Sequence, residues 1–311
     1  MRGAVAIVTL ALALAGPARV GAEPARPLRI VTFNLFHGGA SSGLTGDAGQ
    51  LDRRLAMVAR ELAALDPDVV ALQEASEGRG RGNVAARLAQ RLDLHWVHAP
   101  ATPRVFALPL VNRLIVWAIN FSEGPAILSR FPIVDHAIHD LPRCEKRLDP
   151  RVLLRAELET PWGRLHAYST HASRDDCQVR RVAELVRERR SALPSLVMGD
   201  FNAGEQLAAI QALTNGAGFV DAFRAANPSA PGFTVWQRIE APAPTAFRRV
   251  DYVFVVPGVE TRARVVRSRL VLDAPERLPD GTALWPSDHY GVLAEVELVP
   301  LVREVTRRGG R

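Results

Sequence analysis

The chain has 311 residues, enough for one large domain or two small ones, and 48% of them are hydrophobic, which is ample for a core. Its 39 basic against 33 acidic residues give a net charge of +6, which disfavours a cationic partner and leaves nucleic acid and acidic surfaces open. Only Lys146 is a lysine, so much of the arginine content reflects composition bias, and no Pro- or Gly-rich linker divides the chain.

Residues 1–22 read as a secretory leader: Arg2, an apolar run from Ala4 to Ala15, and Val20-Gly21-Ala22 as a small-residue cleavage site. The run is too short to span a bilayer, and no later segment resembles a span, so a secreted or periplasmic protein cleaved near Ala22 is expected. Removing Arg2 and Arg19 leaves the mature charge positive. In an oxidising compartment the two cysteines, Cys144 and Cys177, are expected to pair, stabilising the fold by about 3 to 4 kcal/mol in the chain-entropy model.

Leu28 to Asn34 alternates like a strand, and a Gly/Ser-rich loop follows to Gln50. Leu55, Val58, Ala59 and Leu62 then line one face of a helix over 52–65. Asp68 to Glu74 is nearly all apolar, as expected of a strand covered on both faces. A short helix over 84–92 is followed by strand-like segments at 94–98 and 114–119. Between these two, Val105 to Val111 is apolar and broken by Pro109, and reads as either buried irregular chain or a flap.

Gly124 to Arg130 and the residues from Ile133 read as two strands, and 151–159 with 163–171 as a hairpin about Thr160-Pro161-Trp162-Gly163. A helix from Asp175 to about Arg190 buries Val179, Val182, Leu185 and Val186. It leads into Ser195 to Met198, a short apolar strand that ends at Gly199-Asp200-Phe201-Asn202. Asp200 and Asn202, at i and i+2, face one side while Phe201 turns into the core, which suits a carboxylate and an amide acting on one phosphate or metal. A short helix from Glu205, a loop holding Phe233 to Trp236, and strands over 249–256 and 291–298 complete the pattern. The tail 301–311 is basic. This order predicts an α/β sandwich: two mixed sheets face to face with helices outside.

Asn34, Glu74, His171, Asp200, Asn202, Asp251, Asp288 and His289 all fall at strand edges, and together they suit hydrolysis of a phosphate ester. A hard divalent cation takes oxygen ligands and keeps several waters, so Glu74, assisted by Asn34 and Asp288, is the expected metal site. His289 oriented by Asp251 is the expected base for an attacking water, while His171 and Asn202 are placed to stabilise charge on the phosphoryl oxygens. His37, His95, His98, His136, His139 and His166 lack such company and read as structural or exposed.

Seven short stretches, in order across 28–298, resemble the endonuclease/exonuclease/phosphatase superfamily of pancreatic-type deoxyribonuclease fold. They are Thr32-Phe33-Asn34, Leu72-Gln73-Glu74, Ala126 to Arg130, Ser169-Thr170-His171, Gly199 to Asn202, Val250-Asp251-Tyr252 and Ser287-Asp288-His289. The resemblance implies a single domain over 23–300, a four-layered sandwich with the site at the sheet ends, Mg2+ or Mn2+ near Glu74, Asn34 and Asp288, and in-line attack. It implies that Asn202 holds the phosphate, makes Asp200 the competing candidate for activating the water or protonating the leaving oxygen, and offers Arg151 as a phosphate contact.

A secreted, monomeric phosphodiesterase acting on nucleic acid is the leading expectation, with no obligate protein partner. The alternative is a lipid or small-molecule phosphohydrolase, sphingomyelinase-like or inositol-phosphate-phosphatase-like. It is motivated by the apolar 105–119 region with Phe106, Leu108, Leu110 and Trp117, which would make transient contact with a lipid surface. A third reading, a binding module without catalysis, conflicts with the intact acid, base and metal positions.

Overall fold

The computed structural model describes residues 26–37, 49–102, 108–144, 150–174 and 176–301; the expected leader and the tail beyond Leu301 lie outside the described residues. The first large sheet holds β1 (Leu28–Asn34), β2 (Val69–Gly78), β3 (Gly82–Asn83), β4 (His95–His98), β5 (Ser122–Ser129), β12 (Thr261–Val271) and β15 (Gly291–Pro300). Its order is β12-β15-β1-β2-β5-β4, with β3 paired to β2. The second holds β6 (Ile133–Asp140), β7 (Val152–Thr160), β8 (Gly163–His171), β9 (Ser195–Asp200), β10 (Val220–Asp221) and β11 (Asp251–Val256), ordered β10-β11-β9-β8-β7-β6. A two-stranded ribbon, β13 (Glu276–Arg277) and β14 (Ala283–Leu284), stands apart. Both large sheets are mixed: β1 runs parallel to β2 and β8 parallel to β9, and the other pairings are antiparallel.

Alternation along the strands explains the layers. Ile30 and Val69 of one sheet meet Leu154 and Met198 of the other in the core between them. The opposite faces are covered by helices. Val31, Phe33 and Leu72 pack with Leu55, Val58 and Leu62 of α1 (Leu51–Leu65) and Leu88 of α2 (Val84–Leu92). On the far side Leu153, Tyr168 and Val197 pack with Val182 and Val186 of α4 (Asp176–Glu188) and Ile210 of α5 (Ala208–Gln211). The result is the four-layered sandwich, completed by α6 (Ala222–Ala226). Cys144, beyond β6, is disulfide-bonded to Cys177 in the first turn of α4.

Where apolar patterning was ambiguous the structure differs from expectation. Residues 114–119 are not a strand: they belong to α3 (Pro109–Ile119), which has Pro109 in its first turn and Asn120 in the left-handed conformation as its C-cap. A short run of Leu, Ile, Val and Trp fits either element, and here the N-terminal proline and the capping amide favour the helix. Residues 105–107 of the expected flap lie outside the described residues, and Leu108 onward is exposed. β12 was not anticipated, because arginines at 262, 264, 267 and 269 obscure its edge-strand alternation.

Candidate active site

Pairing register sets out the first row of the site. Asp200, the last residue of β9, lies opposite His171 on β8 and opposite Asp251 on β11, so three adjacent strands present three polar side chains side by side. The close packing needed here is provided by Gly199, whose φ is 151°: a Cβ at this position would lie 2.1 Å from the Thr170 carbonyl oxygen. Phe201 turns inward and packs edge-on against Tyr252 and Phe254, as its alternation with Asp200 and Asn202 predicted.

The facing sheet contributes the second row. β1 ends on Asn34 beside Gln73 of β2. One residue later the β2–β5 pairing shifts register between Leu72 and Ala75, and Glu74 sits in this bulge with φ 53°. A non-glycine residue in the left-handed region at a bulge re-aims a side chain that a regular strand would bury in the layer beneath. Asn202 has the same conformation, φ 52°. Beneath the rim the sheets are tied by buried polar contacts: Gln73 Nε2 donates to Thr32 Oγ1 at 3.2 Å and to Ser169 Oγ at 3.3 Å, and Ser169 Oγ donates to the Leu72 carbonyl at 3.2 Å.

The two rows join at Asn34, whose Nδ2 donates to Glu74 Oε1 at 3.1 Å and to Asp200 Oδ2 at 3.2 Å, while its Oδ1 accepts the Phe36 N–H at 3.0 Å. His289 closes the cluster. Its Nδ1 lies 2.9 Å from Asp251 Oδ2, and its Nε2 lies 3.8 Å from Asp200 Oδ2 and 4.0 Å from Asp288 Oδ1. His171 Nε2 lies 3.5 Å from Asp200 Oδ2. Asn202 donates its backbone N–H to Asp200 Oδ1 at 2.7 Å and its amide to the Ala172 carbonyl at 3.0 Å. Arg151 is near enough for its charge to lower the pKa of both His171 and His37. All eight strand-end residues expected from the sequence, and Arg151, therefore gather at one rim.

Electrostatics divides them. Burial, reinforced by the Asp251 charge, raises Asp200 to about 7. Burial alone would depress His289, but Asp251, Asp200 and Asp288 outweigh it and hold the imidazole at about 10. His171 has burial, Arg151 and two other histidines against its charged form and is held well below the usual range. Burial would raise Glu74, yet His37 and the hydrogen bonds from His37 and Asn34 pull it below its ordinary value.

Two residues were missed. His37 donates its backbone N–H to Glu74 Oε2, and its ring contacts the same oxygen, so it lies against the expected metal carboxylate and is not exposed. Arg54, buried in α1, donates to the carbonyls of Leu35, Phe36, Gly49 and Pro286, tying the end of β1 to the segment before Asp288. Burial lowers its pKa to about 10 against the opposing charges of Asp288 and Glu74. Its sequence signal is an arginine on the helix stripe otherwise occupied by Leu51, Leu55 and Val58.

The family model for the Endonuclease/Exonuclease/phosphatase family matches residues 31–289. The chain belongs to the endonuclease/exonuclease/phosphatase family. Membership makes it a phosphoric ester hydrolase. Solved family structures share the fold at low identity. An endonuclease/exonuclease/phosphatase from Beutenbergia cavernae is 24% identical, with a TM-score of 0.62 over 88% of this chain and 72% of the other. The mannosyl-6-phosphatase of Bacteroides thetaiotaomicron is 20% identical, with a TM-score of 0.64 over 88% and 99%. D. rerio TDP2 complexed with a single-strand DNA product is 20% identical, with a TM-score of 0.63 over 87% and 98%. No curated protein matches the chain significantly.

The residues fit the divalent cation that the family implies. Asp288 is raised to about 6 by burial, with the charge of Glu74 adding to the rise and His289 opposing it; the repulsion between the two carboxylates is one that a bound cation would relieve. A second group, Asp200, Asp251 and His289, has its ligand atoms within 4.8 Å of one another. That group includes an imidazole nitrogen and a carboxylate paired with each other, whereas Glu74 and Asp288 present only carboxylate oxygens, the donors a hard cation prefers. Asn34 Nδ2 links the carboxylates of Glu74 and Asp200, and its Oδ1 accepts the Phe36 N–H.

Proposed function

We propose that the chain is a secreted, divalent-metal-dependent phosphodiesterase that cleaves by in-line attack of water, with nucleic acid as its first substrate. One observation supports the chemistry above all: His289 is hydrogen-bonded to Asp251 and its Nε2 lies 3.8 Å from Asp200, while Asn34 links Asp200 to Glu74. A cation held by Glu74 and Asp288, Mg2+ or Mn2+, would supply charge neutralisation at the phosphoryl oxygens.

The remaining work falls to this chain's side chains. Asp200, with a proton affinity near neutrality, is the group suited to take the proton of the attacking water. His289, whose proton is held by the surrounding carboxylates, is suited to donate a hydrogen bond from Nε2 to a phosphoryl oxygen, with Asp251 fixing the ring. The proton taken up by Asp200 is then available to the leaving oxygen as its bond to phosphorus breaks. This reverses the order expected from the sequence, where His289 was the first candidate base. His171 and Arg151 add donors on the Asp200 side, and Asn202 braces Asp200 through its backbone N–H.

Support for nucleic acid comes from the positive charge and from the loop that pairs with His289. Val235 bridges to His289, and next to it Trp236 and Phe247 stand exposed, ring centroids 6.0 Å apart, with the Arg248 guanidinium over Trp236. Such a surface stacks bases without reading sequence. The second reading, a lipid ester, is favoured by the exposed apolar helix α3 at the same rim.

The test is hydrolysis of plasmid DNA, RNA, sphingomyelin and bis-p-nitrophenyl phosphate by the mature protein, with Mg2+, Mn2+ or EDTA and with the Asp200→Asn and His289→Ala variants. Metal-dependent DNA or RNA cleavage lost in both variants is the expected result. Turnover of the lipid alone transfers the same site to the second reading, and metal-independent turnover would sink the assignment.

A further inference from the structure

We propose that α3 docks the protein onto an anionic lipid bilayer. Leu108, its N-cap, is 65% exposed, and Leu110 68%, Leu114 58% and Trp117 66%, on a helix whose only buried residue is Asn112. Such a cluster on one short element is not ordinary surface scatter. Within α3 the polar residues are Asn112 and Arg113, so nearly the whole exposed circumference is apolar.

Eleven residues make a helix about 16 Å long, well short of the roughly 20 residues needed to cross a bilayer. No helix among the described residues is long and apolar enough to cross a membrane. The geometry suits a helix lying in the interface, with its leucines below the headgroups and Trp117 at their level.

Charge selects the occupant. Arg79 donates to the Trp117 carbonyl and lies 5.2 Å from its ring centroid, Arg81 stacks over Phe121 just past the helix, and Arg113 is on the helix itself. The helix carries no acid, and its acidic neighbour Glu77 accepts from Asn83. Cations ringing an apolar patch complement anionic headgroups. A second copy of the chain would face these arginines with its own, since a two-fold interface brings a patch against itself.

Docking also orients the active site. Phe121, two residues beyond α3, packs edge-on against His37 at 4.8 Å, and the His37 ring contacts Glu74. The helix is thus anchored one residue away from the expected metal carboxylate, and a docked protein would hold that rim near the bilayer surface. This inference does not depend on which ester is cleaved.

The experiment is co-sedimentation of the mature protein with phosphatidylcholine vesicles and with vesicles containing phosphatidylglycerol. It compares wild type with the Leu110→Glu/Leu114→Glu double variant and with Arg113→Glu, and bis-p-nitrophenyl phosphate turnover reports the intact fold. Binding to the anionic vesicles is expected, weakened roughly ten-fold or more in the double variant and at least about five-fold in Arg113→Glu, with turnover unchanged. The proposal is overturned by absence of wild-type binding, by equal binding to neutral vesicles, or by binding that the double variant retains. A concentration-dependent dimer in sedimentation velocity that the double variant abolishes would instead assign the helix to a second copy and overturn it as well.

Discussion

His37 grips Glu74 twice: its backbone N–H donates to Oε2 at 3.2 Å, and its ring Nε2 lies 3.0 Å from the same oxygen. With Asn34 on Oε1, the carboxylate is held from both sides in a backbone conformation that ordinary residues rarely adopt. A side chain held in this way is oriented before any ligand arrives.

His37→Ala should therefore raise the metal concentration giving half-maximal activity by about 10- to 100-fold, the usual cost of losing a group that orients a ligand. Activity at saturating metal should remain close to wild type. A metal titration of both proteins on a soluble ester decides the matter, and an unchanged midpoint would show that the ring plays no part in holding Glu74.

Asp251 and His289 should behave as one unit. Asp251→Asn and His289→Asn should each lower kcat on the order of 10²- to 10⁴-fold with little change in KM, and the double variant should be no worse than the poorer single. Multiplying losses would mean that the 2.9 Å contact between Asp251 Oδ2 and His289 Nδ1 is incidental to the chemistry.

Much of this site could be read from sequence because several of its residues end strands with a clear burial pattern: Asn34 after Leu28 to Phe33, Asp200 after Leu196 to Met198, His171 at the end of the hairpin. Strands covered on both faces leave few polar side chains, so those at the ends stand out. His37 did not stand out, because its partner is 37 residues away and reaches it through a bulge that alternation does not reveal. The second half of α3, 114–119, was read as a strand because apolar composition without periodicity does not distinguish the two elements. Arg54 was passed over because helix patterning counts apolar positions, and its function lies in capping loop carbonyls.

Gly199→Ala should separate the strands that carry His171 and Asp200. The new methyl would lie 2.1 Å from the Thr170 carbonyl, between backbones with no room to move apart without disturbing the β8–β9 ladder. A loss of about 1 to 3 kcal/mol is expected in urea denaturation, together with a larger loss of activity than a core variant of equal instability such as Val182→Ala. Equal activity losses at matched stability would leave Gly199 with a packing role only.

Chelation should remove activity without unfolding the protein, because the disulfide and the three hydrophobic layers do not depend on the site. Adding Mg2+ or Mn2+ back should restore turnover and raise the thermal midpoint, by about 2.7 kcal/mol of added stability at a hundred times the dissociation constant. The stabilisation should vanish in a Glu74→Gln/Asp288→Asn double variant, which also relieves the repulsion between those carboxylates. A midpoint shift that persists in that variant would locate the cation elsewhere, with the Asp200, Asp251 and His289 group as the next place to look.

Away from the catalytic cluster, His98 should set part of the acid sensitivity of the fold. Its Nδ1 lies 2.9 Å from Asn83 Nδ2 and is the acceptor of that contact; the Asn83 Oδ1 in turn accepts the Ala86 N–H and caps α2. Burial lowers the His98 pKa below 6.5 even though Glu77 opposes the shift. The unfolded chain therefore binds a proton that the folded one resists, so stability is fully present above about 6.5 and is lost as pH falls through the lower folded value. Protonation would also replace the acceptor with a second donor facing Asn83 and disturb the cap. His98→Asn keeps an acceptor near the Nδ1 position and cannot titrate. It should be less stable than wild type at pH 8, where it leaves a cavity, yet its urea midpoint should fall less steeply as the pH drops below 6.5. Parallel slopes for the two proteins would assign the acid sensitivity to other groups.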